Sequence, residues 1–362
     1  MNKVRDAVKK MTPYAWEESN EEIAGKYGLG LNEVIRFDMN TSPFILGAVK
    51  QAASNLSRTE FNEYPLPSYE TLVNAVSSYA GVEASQLLVG AGADEVIDVI
   101  AKTFLDNGDA SVVSMPTYSM FAVSTQSYGG RVVEVERKPP AYALDIESLV
   151  EASKQSKLLW VCNPNSPTGN ASGEQEVKDL VGRADCTVVV DEAYSEFYGK
   201  SVAGLVNKFD NLVVARTLSK AFGLAGARVG YAVTNPSLAT ELNKVRPPCS
   251  ISRASVPLAE AALSKQGIQE MKRAVEKIVC ERKALAASLG KLGLQCFPSE
   301  TNFLLVGFNG FDAGKAFEKL LEKGLVTRNF SKKKLTRNCL RITVRSGEEN
   351  ERLLQAIGEV VS

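Results

Sequence analysis

Between residues 86 and 234, apolar positions gather in short Val-rich runs. There are seven: "QLLVGAG" (86–92), "DASVVSMP" (109–116), "GRVVEVE" (130–136), "KLLWVCNP" (157–164), "CTVVVDEAY" (186–194), "NLVVART" (211–217) and "RVGYAVT" (228–234). Longer amphipathic stretches, among them "DEVIDVIAKTFLD", "YSMFAVSTQSYG" and "SGEQEVKDLVGRA", separate most of them. Short apolar strands alternating with helical patterns predict an α/β fold with a mostly parallel seven-stranded sheet.

After about residue 250 the pattern changes. Two long helical stretches lead into "NFLLVGF", a helix "AGKAFEKLLEKG", the runs "LVTRNF" and "CLRITV", and a last helix "EENERLLQAIGEVV". This predicts a smaller α+β unit. "VRPPCS" (245–250) is the expected hinge, because Pro247 and Pro248 resist helix. The predicted division is a large domain, 40–245, and a small domain built from 1–39 and 246–362.

A chain of 362 residues, 44% hydrophobic and 23% charged, is an ordinary globular composition. Lys plus Arg equals Asp plus Glu at 42 each, so no basic footprint for nucleic acid or for a lipid surface is expected. The amino-terminal segment has no apolar core of a signal peptide, and no run is long enough to span a membrane. The six cysteines form no C-x-x-C pair and read as reduced thiols of a cytoplasmic protein. Histidine is absent altogether, which removes His-based triads and most zinc sites, and no metal is expected. Lys, Tyr, Asp, Glu or a bound cofactor must then move any protons.

In open α/β sheets, ligands sit beyond the carboxyl ends of the strands. "LLVGAGADE" ends in Gly-Ala-Gly and enters a helix, a turn that lets backbone N–H groups approach an anion. A dinucleotide fingerprint would need Gly where Glu95 stands, so a phosphate cradle is the preferred reading. "SVVSMPTY" delivers Tyr118, a ring able to stack on a flat ligand. "LLWVCNPNSPTG" offers amides and a hydroxyl in a turn. "TVVVDEAY" delivers Asp191, whose burial demands a partner, and Tyr194. "LVVARTLSK" delivers Thr217, Ser219 and Lys220, with Arg228 following, a set suited to a bound phosphate and an activated amine. Together these match pyridoxal phosphate, which needs a Lys amine and an Asp on its ring nitrogen.

The chain resembles the fold-type I pyridoxal-phosphate-dependent aminotransferases, and within them the histidinol-phosphate aminotransferases. The motifs that carry the resemblance are "YPLPSYETL" (64–72), "GADE" (92–95), "PTYSMF" (116–121), "NPNSPTG" (163–169), "DEAYSEF" (191–197), "RTLSKAFGLAGARVGY" (216–231), "SETNF" (299–303) and "CLRITV" (339–344). The resemblance implies that Lys220 forms the Schiff base and shuttles the α-proton, that Asp191 pairs with the pyridine nitrogen, and that Tyr194 bonds the ring hydroxyl. It implies that Tyr118 stacks on the ring and that Ala93, Asp94, Thr217, Ser219 and Arg228 bind the phosphate. Tyr64 would reach the cofactor phosphate of a second subunit, implying a homodimer with shared sites. Arg341 would clamp the α-carboxylate, Arg328 would join it on the substrate phosphate, and Tyr14 and Asn40 would line the substrate pocket.

One departure stands out. Members of the family commonly carry Asn immediately before Pro-Thr-Gly, on the cofactor's ring oxygen, and here that position is Ser166. A Ser hydroxyl could make the same bond at shorter reach. The implied reaction is amino transfer between L-histidinol phosphate and 2-oxoglutarate. Aromatic-amino-acid aminotransferases and threonine-phosphate decarboxylases share the scaffold and stay open as alternatives. An NAD-binding protein using "GAGADE", and a non-catalytic pyridoxal-phosphate regulator, are more distant ones.

Overall fold

The computed structural model describes residues 3–11 and 18–361. Its main sheet contains Leu87–Gly90 (β1), Ala110–Met115 (β2), Arg131–Glu136 (β3), Leu158–Cys162 (β4), Thr187–Asp191 (β5), Leu212–Thr217 (β6) and Gly230–Val233 (β7). The spatial order is β1-β7-β6-β5-β4-β2-β3. β7 runs antiparallel to both neighbours, and the remaining pairs are parallel. Each strand lies inside one of the seven Val-rich runs, as the apolar pattern predicts.

The runs lack polar alternation because both faces of the sheet are covered. Leu158, Trp160, Val189, Val213 and Ala215 pack on one face with Val96, Ile97 and Ile100 of the helix Gly92–Phe104. Leu159, Val161, Val188, Val190 and Val214 pack on the other with Leu149, Val177 and Leu180. Each such fully buried side chain is worth about 1.5–3 kcal/mol against leaving it in water. The edge strand β3 carries Arg131, Glu134 and Glu136 on exposed positions, which blunts pairing with other chains.

Two helices have clear start signals that the run-based reading passes over. Ile146–Ser153 begins after Asp145, whose carboxylate accepts from Ser148 N–H. Pro236–Val245 begins with Asn235 as cap and Pro at its first turn.

The second sheet is antiparallel and follows residue 294. Phe303–Gly307 pairs on one side with Cys339–Thr343 and on the other with Gln295–Cys296, while Arg328–Asn329 borders Cys339–Thr343. Near the amino terminus, Ile35–Arg36 pairs in parallel with Leu325–Val326. The chain continues from there: Phe37 N–H donates to Val326 O at 2.7 Å, and Phe37 O accepts from Thr343 N–H at 2.7 Å. Residues 35–40 are thereby led between the second sheet and the carboxyl edge of the first.

Candidate active site

The register of the main sheet levels its functional ends. Thr217 lies opposite Gly230, Gly90 opposite Gly230, and Cys162 opposite Asp191. Strand alternation turns Asp191 and Thr217 toward the face that holds Val189 and Ala215. Glu192 and Arg216 turn to the other face. There Arg216 donates to Ser195 Oγ at 2.6 Å and to Glu196 Oε1 at 3.0 Å, and Tyr79 donates to the same carboxylate at 3.0 Å. This buried cluster ties the exit of β5 to the exit of β6 from behind.

The anion end is shaped by close backbone approach. Gly92 opens its helix at φ +84°, and a Cβ there would lie 2.5 Å from the Arg228 guanidinium. A Cβ on Gly230 would lie 2.5 Å from Gly92 C. Only glycine permits both contacts. Glu95, at the position that departs from a dinucleotide fingerprint, caps the turn: its carboxylate accepts from Ala91 N–H and from Ser250 Oγ, each at 2.6 Å. The first turn therefore points N–H groups of Ala93 and Asp94 toward the sheet edge. Thr217 Oγ1 and Ser219 Oγ lie 3.0 Å apart, and Arg228 donates to Ser219 Oγ at 3.5 Å. The Asp94 carboxylate accepts from Arg228 at 2.9 Å and from the Tyr118 phenol at 2.7 Å. It positions a cation and a ring, while the helix N–H groups supply the anion contacts.

Asp191 is 3% exposed. The single hydrogen bond to its carboxylate among the described residues comes from Ala193 N–H at 3.0 Å. Burial is the largest influence and pushes its pKa up to about 7, against the Ala193 bond and the Lys220 cation. A buried carboxylate with so little compensation suits a cationic partner. Lys220 is half-buried and donates to Met39 O at 3.1 Å. Burial first, then the positive charge of Arg341, pulls its pKa down to about 8. Its ammonium lies 5.9 Å from the centre of the Tyr194 ring. Tyr194 is buried, which pushes its phenol up to about 12, and its oxygen accepts from Asn40 Nδ2 at 2.9 Å.

The turn after β4 separates its three polar side chains. Asn163 is committed to Ser172, and Asn165 to Pro116 O, Thr117 and Thr168. Ser166 is the one that meets the far wall: its Oγ accepts from Arg341 Nη1 at 3.1 Å. Arg341 also donates to Asp38 O and packs between Phe303 and Phe330, at 5.2 and 5.9 Å. Arg328 is the Cα partner of Arg341 across the antiparallel pair, so the two arginine side chains leave the same face of the sheet. Like charges in that relation repel, and an anion between them reverses the sign.

Lys220, Asp191, Tyr194, Ser166, Asn40 and Arg341 are thus brought to one cleft, with Thr217, Ser219, Arg228, Asp94 and Tyr118 at its anion end. Tyr64 is elsewhere, 84% exposed on the surface. Tyr14 lies outside the described residues. Sequence reasoning missed the main-chain contributions of Asp38 and Met39, which no side-chain motif signals. It also assigned nothing to Asn302 and Thr343, although both sit inside quoted motifs. Among the described residues, no cluster of three metal-ligating side chains occurs and no helix is long and apolar enough to cross a membrane.

Comparison with known proteins identifies the family. A histidinol-phosphate aminotransferase of Thermoanaerobacter sp. (strain X514) is 36% identical over 349 residues, covering 94% of this chain and 98% of its own. The solved structure of histidinol-phosphate aminotransferase from Sinorhizobium meliloti, in complex with pyridoxal-5'-phosphate, superposes with a TM-score of 0.90 at 26% identity, covering 100% of this chain and 98% of that one. L-threonine-O-3-phosphate decarboxylase from Porphyromonas gingivalis superposes at 0.78 with 22% identity, over 90% of this chain and 99% of that one, a likeness of fold alone. The profile of the family described as aminotransferase class I and II matches residues 25–357, and the chain belongs to that family.

Proposed function

We propose that the chain binds pyridoxal phosphate on Lys220 and transfers an amino group between L-histidinol phosphate and 2-oxoglutarate, a step of histidine biosynthesis. The residues fit the cofactor on grounds internal to the site. Asp191 is a buried carboxylate wanting a cation, as a protonated ring nitrogen provides. Gly92 lets the Arg228 guanidinium come to where a Cβ would stand, at the opening of the helix. Thr217, Ser219, Arg228 and the N–H groups of Ala93 and Asp94 suit a phosphate dianion, and Tyr118 offers a ring face. When bound, the cofactor supplies the electron sink that makes the substrate's α-proton acidic.

The chain's own residues do the rest. Lys220, lowered to about 8, holds an appreciable neutral fraction near neutrality and moves the proton at the substrate's α-carbon. Tyr194 and Ser166 would hold the cofactor's ring oxygen. Arg341 and Arg328 take the substrate's anionic groups: the phosphate of one substrate and a carboxylate of the other. The observation that carries the substrate class is Arg328 directly opposite Arg341, a pair of cations matched to a dianion. Tyr14 completes the pocket in this reading.

A homodimer is proposed with it. Phe61, Tyr64 and Leu66 are exposed beside a recess of about 600 Å³ that Tyr64, Pro65, Leu66, Arg253 and Pro257 help to line. An apolar surface of that kind suits a second copy, with Tyr64 reaching the partner's phosphate site. Six unpaired cysteines suit the reducing cytoplasm. The cofactor site is assigned to a large domain, 40–245, and the arginine pair to a small domain of 1–39 with 246–362.

The test is amino transfer to 2-oxoglutarate from histidinol phosphate, phenylalanine and threonine phosphate in parallel. Histidinol phosphate is expected to be the preferred donor. Preferred use of phenylalanine, or carbon dioxide release from threonine phosphate, overturns the assignment.

A further inference from the structure

Asn40 is an unusual residue for its place. It is 2% exposed and holds φ at +53°, the left-handed region that a non-glycine residue enters at a cost. Four hydrogen bonds fix it there. Its N–H donates to Thr343 Oγ1 at 3.0 Å, and its carbonyl accepts from Asn302 Nδ2 at 2.9 Å. Its Oδ1 accepts from Thr343 Oγ1 at 3.1 Å, and its Nδ2 donates to the Tyr194 phenol oxygen at 2.9 Å.

The direction of this chain of bonds follows from counting protons. Thr343 is fully buried and its oxygen already receives the Asn40 N–H, so its hydroxyl hydrogen needs an acceptor. Asn40 Oδ1 is that acceptor. Turning the amide over would leave the Thr343 hydrogen without one. The Asn40 NH₂ therefore faces Tyr194 and the phenol is the acceptor. Its own hydrogen has no acceptor among the described residues, so it is available to whatever occupies the cleft.

We infer that Asn40 is a positioning residue: by donating to the Tyr194 oxygen, it directs the phenol O–H at the ring oxygen of the cofactor. The bond involves three separate segments, since Asn40 follows the Ile35–Arg36 strand, Tyr194 follows β5, and Thr343 ends the second sheet. This rests on the cofactor reading above and replaces substrate lining as the role of Asn40. Around the phenol stand Arg341, Asp191, Cys162 and the Lys220 ammonium, so the titration below is read as a difference between variants that keep all four.

A phenol that donates to the ring oxygen makes that oxygen a weaker base. Losing the donation raises the pH midpoint at which the bound cofactor's visible band changes. In Asn40→Asp the carboxylate still accepts from Thr343, but its second oxygen accepts from Tyr194 instead of donating, and draws the phenol hydrogen away. Asn40→Gly deletes the side chain and keeps the left-handed backbone without strain. Both variants, titrated as substrate-free holoenzyme, are expected to shift the midpoint upward by about 1 to 2 pH units, and Tyr194→Phe is expected to do the same. In the Tyr194→Phe background the same changes at Asn40 are expected to shift it no further, because Asn40 acts only through the phenol. An unmoved midpoint with a raised KM for the amine overturns the inference and returns Asn40 to the substrate wall. A shift that persists without the phenol overturns it as well. If wild type itself shows no visible band and no borohydride-fixed adduct on Lys220, the cofactor reading has failed instead.

Discussion

The two ends of the cleft are built differently. At the anion end, Gly92, Ala93 and Asp94 come from one turn, and Thr217, Ser219, Lys220 and Arg228 from another, each within a dozen or so residues of chain. At the substrate end, Arg341 touches Asp38 and Ser166 and faces Arg328, drawing on three distant segments, around 38, around 166 and 328–341. The first end is set by strand-to-helix turns on a sheet buried on both faces. The second depends on the amino-terminal strand and the second sheet closing over the first. One end should therefore govern whether chemistry happens at all, and the other which molecule it happens to.

The largest expected effect tests that division. Lys220→Ala removes the amine on which the proposed chemistry depends and should lower turnover by at least about 10⁴-fold for every donor, with no change in the preference among them. Single-turnover assays with each donor check it. The variant should fold, because Lys220 sits where burial disfavours its charge. A Lys220→Ala enzyme that lost one substrate and kept another would break the comparison outright.

Asp191→Asn is expected next. The native carboxylate has its folded-state pKa pushed up to about 7, so between pH 4 and 7 the folded state of the cofactor-free protein keeps a proton that the unfolded chain has released. Stability attributable to this group then falls as pH rises through that window, by on the order of 4 kcal/mol, and levels off above it. Denaturant midpoints of cofactor-free wild type and Asp191→Asn should diverge across the window, with the variant the more stable at pH 7. Equal pH dependence would mean that Asp191 already has a counter-charge without the cofactor.

How much of this was legible follows the same division. The seven strands were readable because β4, β5 and β6 are apolar on both faces, and their ends could be read off in order. Lys220, Asp191 and Thr217 are candidates read directly from those ends. Asn40 was singled out, but its partner Tyr194 lies 154 residues away, and no local pattern announces the bond. Met39 and Asp38 act through carbonyl oxygens, which every residue possesses. What Ser166 meets within the chain is visible only in space. Asn163 and Asn165 are consumed by their own turn, and Ser166 alone reaches across to Arg341.

The arginine pair sharpens the comparison with the smallest effect. Arg341 is anchored on both sides, by Ser166 and by the Asp38 carbonyl, and lies between two phenyl rings, so its guanidinium is pre-oriented. Arg328 sits on the short edge strand, in register with Arg341. Arg341→Ala should raise KM for both the amine and 2-oxoglutarate, since either anion meets it. Arg328→Ala should fall more heavily on the phosphorylated amine, whose dianion gains most from a second cation. A lost charge-assisted bond of about 1.5–3 kcal/mol corresponds to roughly 10- to 150-fold in KM. Steady-state kinetics on histidinol phosphate and on a donor lacking phosphate gives the discriminating ratio. A ratio changed by Arg328→Ala and unchanged by Arg341→Ala assigns phosphate selection to the edge strand. Equal losses from the two variants on both donors would mean that the pair works as one undivided anion clamp.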